Sequence, residues 1–194
     1  MKKISKEKRI EYWKYLQAAL TFDQAKEVLD YLKDNSNTPL FGQLITSLYV
    51  LYGRPFKQRR ITRIPDDIIP AKFKDTHKML LDLRDKLFAH IDIDGIPETE
   101  VDQLYKIILR RKNNIFKPAT ASLLPEGLQF EKISELFQIL QKHFNKKADE
   151  IFNEAMDGYP PTNSLNYEVD ITTADDAYLI KLATFPNYAG TYNL

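Results

Sequence analysis

The chain has 194 residues, 43% hydrophobic and 28% charged, with 28 basic against 27 acidic side chains and a formal net charge of +1. That suits one domain with a full core plus an arm, of ordinary soluble globular composition. The absence of cysteine excludes disulfides, zinc–thiolate sites and cysteine nucleophiles and fits a reducing, cytoplasmic setting; the near-balanced charge means that any phosphate site must be local.

Met1 to Arg9 is charged and no apolar run follows, so it does not read as a secretory signal. No stretch reaches the roughly 20 apolar residues of a membrane span. Residues 4–34 read as two helical pieces. Ile10, Trp13, Leu16 and Leu20 form one apolar stripe. Phe22, Ala25, Leu29 and Leu32 continue it after a break at Thr21, read as an N-cap. Asn35-Ser36-Asn37 reads as a loop. Thr38-Pro39 has the chemistry of a cap followed by proline at the first helical position. The helix it opens, through Leu44, Ile45, Leu48, Tyr49, Leu51 and Tyr52, is apolar around most of its circumference and should be buried. Gly53-Arg54-Pro55 should end it.

Residues 54–70 read as a basic loop carrying Arg54, Lys57, Arg59, Arg60 and Arg63, with no acid before Asp66. A long helix is expected from about Pro70 to Ile91, with Phe73, Leu80, Leu83 and Leu87 as its stripe. Residues 99–124 fit either a helix or a β-hairpin. The hairpin is favoured, with Asn113-Asn114 at the turn and Pro118 confining the return strand to an edge. Residues 126–156 give the clearest helix, through Ile133, Leu136, Phe137, Leu140, Phe144, Ile151 and Phe152. After Gly158-Tyr159-Pro160-Pro161 the character changes. Thr173 and Asp176 suggest a capping box for a short helix through Leu182. The apolar content of the tail should pack on the body or on a second subunit. The expected division is therefore a helical domain over 1–158 and an arm over 159–194.

One stretch carries chemistry: Leu83-Arg84-Asp85-Lys86-Leu87-Phe88-Ala89-His90. Arg84 has a permanently charged, planar fork suited to phosphate. His90 can move a proton near neutral pH. On a regular helix the two lie roughly 120° apart around the axis and do not face the same way; Arg84 is in line with His77. A core or capping histidine beside an ordinary ion-paired arginine would use the same residues.

The order of elements, with Arg84, the polar Asp85 and then His90 near a helix end, resembles the HEPN superfamily of small all-α proteins. The likeness covers roughly residues 38–156 in the order of helices, and its specific part is the motif. It implies a mainly all-α, antiparallel helical bundle, in which the hairpin that the residues favour near 101–124 would be a small insertion. It also implies a metal-independent endoribonuclease, in a toxin or phage-defence role, that cleaves RNA by attack of the 2′-oxygen on the adjacent phosphate. Arg84 would hold the developing charge and His90 would act as acid, base or hydrogen-bond donor. Two copies of the motif would meet across a homodimer. Asp85 would orient a side chain at that junction or cap its own helix surface. Arg54, Arg59, Arg60, Lys86 and His77 are candidate contacts to RNA or a nucleotide, with His77 expected at the surface. A neutralising or effector protein partner is in keeping with such a role. The family also contains members without known catalysis, so a binding module or a purely structural helical protein stand as alternatives. His77, His90 and His143 have no ligand spacing, and no metal or other cofactor is expected. With 6 glycines the chain has no Gly-rich phosphate loop.

Overall fold

The computed structural model describes residues 1–57, 63–88, 108–112, 115–119, 129–157 and 166–183. Their order is β1 (Lys3–Ile4), α1 (Lys6–Asp34), α2 (Phe41–Lys57), two 3-10 turns (Asp66–Ile68 and Ala71–Phe73), α3 (Lys74–Phe88), β2 (Ile108–Lys112), β3 (Ile115–Ala119), α4 (Phe130–Met156), β4 (Tyr167–Val169), β5 (Ala177–Tyr178) and β6 (Ile180–Leu182). The chain is mainly helical with small antiparallel sheets, as its pattern implies. α1 packs against both α2 and α4, and α2 packs against α3.

Residues 6–34 form one helix of 29 residues instead of two pieces. Its cap is Ser5, whose hydroxyl accepts from the Lys8 N–H at 3.3 Å. Thr21 does not cap a second helix. Its hydroxyl donates to the Gln17 carbonyl at 2.7 Å, so the side chain is satisfied within the helix and gives the backbone no reason to break. The buried face also differs from the expected stripe. Tyr12, Ala19, Phe22, Ala25, Leu29 and Leu32 are buried, whereas Leu20 is 48% exposed and Ile10 and Trp13 are only partly covered. Alanines pattern weakly in hydropathy, yet here they allow neighbouring helices to approach.

Phe22 is the hub of the main core. Its ring meets Tyr52, Phe56, Phe137 and Phe144 with centroids 5.3–6.4 Å apart, mostly edge to face, the geometry aromatic quadrupoles favour. α2 begins at Phe41, after a turn in which the Thr38 hydroxyl accepts from the Leu40 N–H at 3.4 Å. It then runs through Gly53 and Pro55 to Lys57. An interior proline costs about 3 kcal/mol. Keeping the helix intact buries Pro55 and Phe56, and a buried aromatic side chain alone stabilises by about 1.5–3 kcal/mol. The Pro55 carbonyl then accepts from Ile64 N–H at 2.8 Å, which pins the far end of the basic loop to α2. The expected long helix from Pro70 divides into a 3-10 turn and α3.

β2 and β3 pair antiparallel, with Pro118 opposite Leu109. In a two-stranded sheet both strands are edges, so the missing proline N–H removes no third-strand bond. The expected short helix after Thr173 does not form. Residues 177–182 are extended instead: β5 pairs with β1 and β6 pairs with β4. Thr173 is engaged elsewhere, because its backbone N–H and hydroxyl both donate to the Asp170 carboxylate, as do those of Thr172.

The described part of the tail, residues 166–183, lies on a second core made of Ile4, Tyr12, Ala148, Ile151, Ala155, Met156, Leu179 and Ile180. Arg9, fully buried, is its polar centre. Its guanidinium donates to the carbonyls of Ile4, Asp170, Thr173 and Asp175 at 2.5–3.1 Å. One α1 side chain thus fastens both β1 and the tail loop.

Candidate functional site

α3 places Arg84 and Asp85 beside the end of α2. The Arg84 guanidinium donates to Asp85 Oδ1 at 2.7 Å, and the Lys57 ammonium donates to Asp85 Oδ2 at 2.8 Å. The three side chains are 31%, 37% and 36% exposed for Arg84, Asp85 and Lys57. Two cations therefore share one carboxylate at the surface and leave an excess positive charge. Partial burial pushes the Asp85 carboxyl upward, but the hydrogen bonds from Lys57 and Arg84 outweigh it and hold it below its ordinary value.

Gly53 is the floor under this cluster. A Cβ built there would stand 3.0 Å from Arg84 Cδ and 3.1 Å from Cγ. The arginine stem therefore lies directly on the α2 backbone, which fixes the direction of its fork. A glycine in an otherwise apolar helix is a legible signal of close approach. The contact with Lys57 is not legible in the same way, since 28 residues separate it from Asp85.

The remaining candidates divide. His77 is buried, not a surface residue, at 6% exposure. The apolar positions of α3 do not reveal this, because α2 supplies a polar partner. His77 Nδ1 and the Tyr52 hydroxyl share a hydrogen bond of 2.7 Å, and the Phe56 ring stands edge-on at 4.8 Å. Nε2 has no hydrogen-bond partner among the described residues, with the Asp66 carboxylate at 3.7 Å. Burial lowers the His77 pKa and Asp66 only partly offsets this. In this position His77 joins the packing of α2 on α3. Arg54 is exposed and turns to the α1 side, where it lines a crevice with Trp13, Lys14 and Gln17. It is not part of the Arg84 cluster. His90, Arg59, Arg60 and the Lys86 side chain lie outside the described residues. Tyr52 and Phe56 are wholly buried and serve the core, not base stacking.

Among the described residues no group of three or more His, Asp or Glu side chains is arranged to hold a metal ion. No described helix is long and apolar enough to cross a membrane. Comparison with protein-family models, with curated proteins and with solved structures yields no match.

Proposed function

We propose that this chain is a HEPN-like endoribonuclease that works as a homodimer in the cytoplasm, in a toxin or phage-defence role. The observation that carries the reading is the Arg84 cluster. A partly exposed guanidinium is seated on Gly53, oriented by Asp85, and accompanied by a second cation, Lys57. Such a fork can give two parallel N–H donors to a phosphate. In the proposed reaction the 2′-oxygen of RNA attacks the adjacent phosphorus, and the 5′-oxygen leaves with a proton. Arg84 stabilises the charge of the transition state. His90 supplies or removes a proton, and the second copy of His90 serves the other proton step. The phosphodiester gives a 2′,3′-cyclic phosphate and a free 5′-hydroxyl, so atoms balance without a co-reactant.

The test is cleavage of single-stranded RNA by the purified full chain, with and without EDTA. Cleavage that persists in EDTA and leaves cyclic phosphate ends, with 2′-O-methyl RNA inert, is the expected result. His90→Ala should lower the rate about 10²–10⁴-fold. Arg84→Ala should do the same order of damage, and Arg84→Lys should rescue poorly. Absence of cleavage by the parent protein, with RNA bound and the fold intact, would support a second reading as a non-catalytic RNA- or nucleotide-binding module. That reading is favoured by one observation: the Arg84 fork already has a carboxylate partner in Asp85.

A further inference from the structure

Away from the Arg84 cluster, α1 and α2 enclose a crevice between Trp13, Lys14, Gln17 and Ala18 on one side and Arg54 and Pro55 on the other. Its cause lies in the sequence. Ala18, Thr21 and Pro55 are buried and line its floor, and none of these side chains is long enough to fill the gap. Its walls are larger: the only tryptophan of the chain and two cations.

We propose that this crevice binds the phosphate group of a nucleotide. Three observations point to an oxyanion. First, the space open to water-sized groups is about 50 Å³; with about 10–15 Å³ of such space needed per water molecule, it holds a few waters or one phosphate-sized group. Second, two cations and no acid line it among the described residues, and neither Lys14 nor Arg54 makes an ion pair with another described residue. Glu11, one turn before Lys14, is the acid that acts on that ammonium, which also stands 5.8 Å from the centroid of the Tyr15 ring. An anion entering the crevice would meet a cation on each wall. Third, the Lys14 ammonium is partly desolvated, which lowers its pKa and leaves it less hydrated than a free surface lysine. Gln17 adds a neutral amide able to donate to a phosphate oxygen. The rim then selects the remainder of the ligand: the partly covered Trp13 indole offers a face on which a base can stack. The site is independent of the ribonuclease reading, since it uses neither Arg84 nor His90.

Trp13 also makes the test direct, because it is the one tryptophan of the chain and it lines this crevice. The full chain is titrated with inorganic phosphate and, separately, with adenosine monophosphate, with N-acetyltryptophanamide correcting for absorbed light. A saturable change is expected for both ligands, with adenosine monophosphate at least about tenfold tighter. Equal affinities would assign the site to free phosphate, keeping the oxyanion site but overturning its assignment to a nucleotide. Arg54→Gln and Lys14→Gln should each weaken binding about tenfold or more, whereas Lys74→Gln, on α3, should leave it unchanged. Thermal melting of each variant separates lost binding from lost fold. The proposal is overturned if the parent shows no saturable change and no calorimetric heat with either ligand at about 10 mM, a concentration well above a weak millimolar Kd. It is equally overturned if folded Arg54→Gln and Lys14→Gln bind as the parent does.

Discussion

At the scale of the residue, the decisive contact is between a glycine and an arginine stem. Gly53→Ala adds one methyl within 3.0 Å of Arg84 Cδ. Alanine gains about 1 kcal/mol of helix propensity over glycine, and the arginine stem has to give way by only a few tenths of an ångström. The expected outcome is a protein that melts within a few degrees of the parent but loses Arg84-dependent cleavage or RNA binding. Equal loss of function and fold would show that Gly53 serves packing alone. His77 gives a second prediction, on pH. Burial lowers its folded-state pKa below 6.5, so the unfolded chain binds more protons there than the native protein. Stability therefore rises with pH in this window and is lost as pH falls through about 6.5 toward the lower folded value. His143 is shifted the same way by burial. Melting temperature measured from about pH 7.5 to 5.5 should fall with acid, and the double variant His77→Gln, His143→Gln should flatten that slope. An unchanged slope would mean that other groups govern it.

At the scale of the element, hydrophobic period identified the helices well and their ends poorly. α4 was legible from its stripe, and the β2–β3 hairpin was the favoured of two readings, from strand-forming residues on either side of Asn113-Asn114. Thr21, Gly53 and Pro55 all carry breaker chemistry and break nothing, because local costs of a few kcal/mol are offset by burial along the whole helix. The tail strands were illegible for a different reason: β5 and β6 have only 2 and 3 residues, and their partners β1 and β4 are equally short. In the candidate site, Arg84 and Asp85 could be read from a motif. Lys57 could not be tied to them, because only the packing of α2 on α3 brings it near.

Arg9 shows the same limit, since nothing in a charged leader distinguishes a buried arginine. Its four carbonyl acceptors span β1 and the tail loop. Hydrogen bonds to a charged group contribute about 1.5–3 kcal/mol each, and orphaned buried carbonyls add a penalty. Arg9→Met should therefore cost about 3 kcal/mol or more. Limited proteolysis should then cut first between α4 and β6, while α1, α2 and α4 stay protected. A variant that resists proteolysis like the parent would show that the second core alone holds the tail.

At the scale of the whole molecule, the placement of Arg84 bears on assembly. Its side chain is fixed on α2 through Gly53 and directed by Asp85, so it has little freedom to swing around α3. Helical geometry sets a residue six positions further on roughly 120° away. A single chain with a continuous helix through His90 would therefore separate the two groups that the proposed chemistry needs together. A two-fold axis beside α3 removes the difficulty, because an isologous interface repeats the same patch on both copies and lets Arg84 of one chain face His90 of the other. Light scattering at micromolar concentration should then give twice the mass of the chain. Mixing inactive Arg84→Ala with inactive His90→Ala should restore part of the activity only if the two groups act across subunits, since the shared cleft of a mixed dimer holds one intact Arg84 from one chain and one intact His90 from the other, with solvent left to serve the second proton step, whereas each mutant homodimer lacks one group entirely. A monomeric mass, or active monomer with no restoration in the mixture, would place the chemistry within one chain and remove the reason for the dimer.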